Sequence, residues 1–181
     1  MSYNEDEQFL ATVASSEGLR NNLVNELENL GTTTVMSNVD LPWGYAMTGL
    51  AYLASNKDLL IGDKEEHKSA VWDQICELLP RLAHPAQMLI VVDYPGTRPT
   101  TKLWRLVDWM LREIHIDTQN HLGIDVSINS LLLPPTVDEK IVAKRIVNYL
   151  SQSEWATTGA IVDYHDIIAQ SIGRAIGGTT A

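Results

Sequence analysis

Met88-Leu89-Ile90-Val91-Val92-Asp93 is a continuous apolar run that ends in a carboxylate and opens into Tyr94-Pro95-Gly96-Thr97-Arg98-Pro99-Thr100-Thr101. A run of this kind, without polar alternation, predicts a strand covered on both faces. From Lys102 to about Ile116 the spacing changes, and Leu103, Leu106, Val107, Met110 and Ile114 recur at the three- and four-residue steps of an amphipathic helix. Strand, glycine-containing loop and helix make the first half of a βαβ unit. After Gly123, Ile124 to Leu131 alternates as a half-buried strand does; Pro134-Pro135-Thr136 breaks it, and Val137 to Leu150 returns to the helical period.

Working toward the N-terminus, Phe9, Leu10, Val13, Leu19, Leu23, Val24, Leu27 and Leu30 fall at helical steps between about Glu5 and Leu30, interrupted near Ser15-Ser16-Glu17-Gly18. This predicts a short helix followed by a longer one, stopped by Gly31, with a short β-branched strand at Thr32 to Met36. Asp40 to Gly44 reads as a turn, and Tyr45 to Ala54, apolar on nearly all sides, as a helix buried in the core. Asn56 to Asp63 reads as a loop, and Asp63 with Glu66 as a capping pair for a helix through about Leu82, closed by His84-Pro85. Thr158 to Ile176 predicts a last helix, and 177–181 a flexible tail. The expected architecture is a single α/β domain over residues 1–176, rich in helix, with a small, partly parallel three- to four-stranded sheet.

A length of 181 residues fits one domain, and 45% hydrophobic residues suffice for a real core. The net charge of −10 has the wrong sign for a protein that holds nucleic acid or an anionic membrane by bulk electrostatics. A lone cysteine, Cys76, rules out an intrachain disulfide and an all-cysteine metal cluster; its apolar neighbours Trp72 and Leu79 predict an inert buried thiol. The acidic start Met1 to Glu7 lacks the basic-then-apolar pattern of an export signal, and the longest strongly apolar run, Met88 to Val92, is too short to span a membrane. A soluble, cytoplasmic protein is expected.

Chemistry concentrates after Val92. In open α/β sheets ligands collect beyond the carboxyl ends of strands, where Asp93 stands. Gly96 permits close backbone approach, Thr97 lies beside it, and Thr100 or Thr101 can cap the following helix. Arg98 is in the loop, while Lys102, Arg105 and Arg112 share one helix face with Trp109 among them; only Asp108 opposes these four cations. The first 40 residues, by contrast, carry seven acidic residues and one arginine. Two readings follow: the loop and helix bind the phosphate or carboxylate of a small ligand, or the basic face docks an acidic partner or the acidic N-terminal segment of another copy. Any surface helix would also carry cations opposite its apolar stripe. Trp104 and Trp109 lie roughly 140° apart on the helix, so at least one stands at a boundary.

Motifs add little. Pro95 stands where an Asp-x-Asp-Gly-Thr phosphatase loop has its second aspartate, and no G-x-x-x-x-G-K-[ST] loop accompanies Asp93-x-x-Gly96, so no family is assigned. His115, Asp117, His121 and Asp125 are of metal-ligand type but lack the spacing of a known site, and no metal or cofactor is expected. No nucleophile is identifiable. The leading expectation is therefore a non-enzymatic interaction module, an adaptor, chaperone-like protein or assembly subunit of a multiprotein machine. It would dock through Arg98, Lys102, Arg105, Trp109 and Arg112, with an acidic N-terminal surface and self-association as natural partners. The alternative is a small phosphate- or nucleotide-binding enzyme centred on Asp93 to Thr101.

Overall fold

In the computed structural model the residues described are 9–14, 20–35, 47–55, 82–122, 126–151 and 157–178. Their element order is β1 (Phe9–Ala14), α1 (Asn21–Asn29), β2 (Thr33–Val35), β3 (Met47–Ser55), β4 (Leu82–Asp93), α2 (Thr101–Asp117), a π-helical turn (Thr118–Leu122), β5 (Val126–Leu133), α3 (Glu139–Leu150), β6 (Ile161–Asp163), α4 (Tyr164–Ala169) and α5 (Ile172–Gly178). The strands form one sheet in the order β2-β1-β3-β4-β5-β6, every neighbouring pair parallel. Four strands of six to twelve residues make its body, and the three-residue strands β2 and β6 extend it at the two edges. The α/β class and helix-rich character hold; the sheet is wholly rather than partly parallel.

Both faces are covered. On one, Leu50, Tyr52 and Ala54 of β3, Met88, Ile90 and Val92 of β4, and Ile128 and Leu132 of β5 pack under α2. On the other, Ala51 and Leu53, Leu89 and Val91, and Leu131 and Leu133 pack under α1, α3 and α5. This arrangement explains two corrections. Tyr45 to Ala54, expected as a buried helix, contributes β3 from Met47 onward, because a strand buried on both faces is apolar at every position and loses its two-residue period. The short first helix is likewise replaced by β1 over Phe9–Ala14, a stretch brief enough to satisfy either period until pairing on both edges decides it.

Other boundaries move for local reasons. β4 begins at Leu82, so Leu82 to Pro85 start a strand instead of closing a helix. β5 is buried at all positions but Ser127, so its polar residues lie inside the molecule rather than facing water. The expected last helix resolves into β6, α4 and α5: Asp163 accepts from the backbone N–H groups of His165 and Asp166, and Asp166 answers with its carboxylate on the Asp163 N–H, a reciprocal cap that starts α4 after β6. Cys76, Trp72, the Asn56–Asp63 loop and the helix proposed from Asp63 lie outside the described residues. No described helix is long and apolar enough to cross a membrane.

Candidate functional site

After β2 the chain passes to the other side of β1 to form β3, so the strand order reverses between β1 and β3, and the loops above the carboxyl ends of the strands are where such sheets hold ligands. Asp93 ends β4 there, in register with Ser55 of β3 and Leu133 of β5. The structure brings it to Arg20, at the entrance to α1, and not to the cations of α2. Arg20 donates from Nε to Asp93 Oδ1, from Nη2 to the Pro134 carbonyl, and from Nη1 to Glu139 Oε1 at 3.2 Å. Its side chain is only 8% exposed. Two carboxylates thus share one guanidinium in a half-buried setting. Burial pushes Asp93 upward from the ordinary carboxylate range, and the pull of Arg20 offsets this only in part. Burial raises Glu139 too, again against Arg20, with Asp93 and Asp138 adding to the rise. Beside them Tyr94, 3% exposed, and Glu139 Oε2 each keep a buried oxygen without a hydrogen-bond partner among the described residues.

The loop that follows is exposed from Pro95 to Arg98, and Gly96 turns it in the left-handed region at φ 92°. Thr97 and Arg98 stand on its open side. Thr100 then caps α2, its hydroxyl accepting from the Leu103 N–H at 3.2 Å. Leu103, Leu106, Val107, Met110, Leu111 and Ile114 are buried against the sheet, at roughly 2 kcal/mol each, so the outer face of α2 contributes little to holding the helix in place. On that outer face Lys102, Arg105 and Arg112 are exposed. Arg112 pairs with Asp108 at 2.9 Å, with 71% and 44% of the two side chains in solvent. Such a pair is worth a few tenths of a kcal/mol. Arg98, Lys102 and Arg105 make no ion pair among the described residues.

The two tryptophans flank the buried stripe, both half-buried against the same core. Trp104, not Trp109, borders a groove of about 420 Å³ with Arg105 and Asp108 on one wall and the 157–161 segment on the other. That second wall is pinned from inside. Asn129 accepts from the Ala160 N–H at 2.9 Å and donates to the Tyr149 hydroxyl at 2.8 Å, while the Gly159 N–H reaches the Ile128 carbonyl at 2.8 Å. Burial pushes the Tyr149 hydroxyl up to about 12, against the bond from Asn129, so it stays neutral as Asn129's partner. Gly159 holds φ 86°, which lets the segment turn toward α2.

The amino-acid sequence marks Trp104 and Trp109 alike as boundary candidates and places Trp109 on the docking face, while it does not single out Arg20, Glu139 or the 157–161 segment. Their only signal there is that Arg20 is the single cation in an acidic first quarter of the chain. Of the ligand-type residues His115, Asp117, His121 and Asp125, the last two have no described side chains, and the described residues contain no cluster of three ligand-type groups.

No family model matches the chain, and no curated protein is similar to it. Among solved structures it is similar to BdcA (YjgI) from E. coli, with a TM-score of 0.54 over 86% of this chain and 97% of that one, at 14% sequence identity. A likeness at that identity shows one thing, a shared α/β fold.

Proposed function

We propose that this protein is a non-enzymatic interaction module, an adaptor or assembly subunit working in the cytoplasm, that docks an acidic protein surface on the outer face of α2. The observation that carries this reading is the contrast in partners: Arg98, Lys102 and Arg105 have no carboxylate among the described residues, in a chain of net charge −10. Cations arranged this way steer and orient an acidic surface. Of the acidic N-terminal surface, the described part is Glu26 and Glu28 on α1. The enzyme alternative is weakened by the pairing at the end of β4, where Arg20 is committed to the carboxylates of Asp93 and Glu139 rather than left to a phosphate.

The test is titration of a dye-labelled poly-glutamate peptide with the full chain at low and high salt, alongside the double variant Arg98→Glu/Lys102→Glu. Binding that salt weakens and that the variant reduces by tenfold or more, on the order of 1.4 kcal/mol, supports the reading. Equal affinity for both proteins, or no binding to either, refutes it.

A further inference from the structure

The groove beside Trp104 has walls of unlike chemistry. Trp104 presents a half-buried ring, and Arg105 a guanidinium without a carboxylate among the described residues; Thr157 and Thr158 line the opposite wall. Asp108, the one carboxylate among the described lining residues, pairs with Arg112. At about 420 Å³ it takes one large side chain and its neighbours rather than a folded surface. The matching occupant is an extended segment with an aromatic side chain a few residues from a carboxylate. Tyr3-Asn4-Glu5-Asp6-Glu7 has this composition, one ring and three carboxylates in five residues. The single basic residue among the first 40, Arg20, is committed to Asp93 and Glu139 and does not offset those charges.

We infer that the groove between α2 and the 157–161 segment receives the Tyr3–Glu7 segment of a second copy of this chain, with the Tyr3 ring against Trp104 and an acidic side chain on Arg105. The inference rests on the interaction reading above and names its partner. Groove and segment are different patches, so two copies either exchange segments reciprocally as a closed dimer or associate head-to-tail into rings or open chains. Asn129 keeps the far wall in place before the segment arrives, which lowers the ordering cost of docking.

A dye-labelled peptide of residues 1–8 is titrated with the full chain and with Arg105→Glu, and with Lys140→Glu on α3 as a charge control. In parallel the full chain and its Glu5→Gln/Asp6→Asn/Glu7→Gln variant are sedimented at low salt. Expected are saturable peptide binding, weakened about tenfold or more by Arg105→Glu and by a Tyr3→Ala peptide but unchanged by Lys140→Glu, and an oligomer that the amide variant loses. A peptide that binds Arg105→Glu as well as the unaltered chain, or a monomer at low salt, overturns the inference. Poly-glutamate binding that still depends on Arg98 and Lys102 would then leave the interaction reading standing; its absence as well removes both.

Discussion

Arg20 and Arg105 are the same side chain in opposite circumstances. Arg20 is enclosed at the carboxyl end of the sheet, where it ties the entrance of α1 to the ends of β4 and β5 and to the start of α3. Arg105 stands on the outer face of a helix anchored by its apolar side and has no carboxylate among the described residues. The first arginine belongs to the architecture; the second is available to something outside it. Position in the sheet, not residue type, separates them.

The largest expected effect comes from breaking the enclosed member. Arg20→Ala leaves Asp93 and Glu139 half-buried beside each other without their cation, and should cost about 3 kcal/mol in denaturant unfolding, the range for removing one partner of a buried pair. A loss no larger than that of an exposed pair would make Arg20 a surface residue in energetic terms. Asn129→Ala comes next, at about 2 kcal/mol, because it strands the Ala160 N–H and the Tyr149 hydroxyl in the interior. Faster amide exchange at Gly159 and Ala160 would accompany it, and unchanged exchange would contradict the pinning of that wall. Thr100→Ala removes the α2 cap and should cost about 1 kcal/mol by thermal unfolding.

The smallest effect is a slope. Burial raises Glu139, so the folded protein holds that proton more tightly than the unfolded chain does. Its contribution to stability is complete below the ordinary carboxylate value of about 4 and is lost as the pH rises through the raised one. Relative to Glu139→Gln, the unaltered protein should therefore lose stability as the pH rises from about 4 toward neutrality in a melting-temperature series. A gain over the same range would mean that Arg20, not burial, governs the carboxyl.

How far the sequence discloses all this varies with the kind of interaction. β4 is legible from Ile90-Val91-Val92, and α2 and α3 from their spacing, because burial on one helical stripe leaves a period behind. β3 is not, since Gly49, Ala51 and Ala54 lack β-branching and burial on both faces erases alternation. The Arg20 clamp is invisible, as its partners lie 73 and 119 residues away. The cationic face of α2 follows from spacing alone, yet the choice of Trp104 over Trp109 as the groove residue depends on β6 and the segment before it, a region whose sequence reads as helix.

The most direct measurement is the poly-glutamate affinity of Arg105→Glu, taken with its unfolding free energy in the same buffer. An available arginine predicts stability within about 0.5 kcal/mol of the unaltered chain and affinity reduced about tenfold. Stability lost while affinity is retained would contradict it, and would place Arg105 in the same class as Arg20.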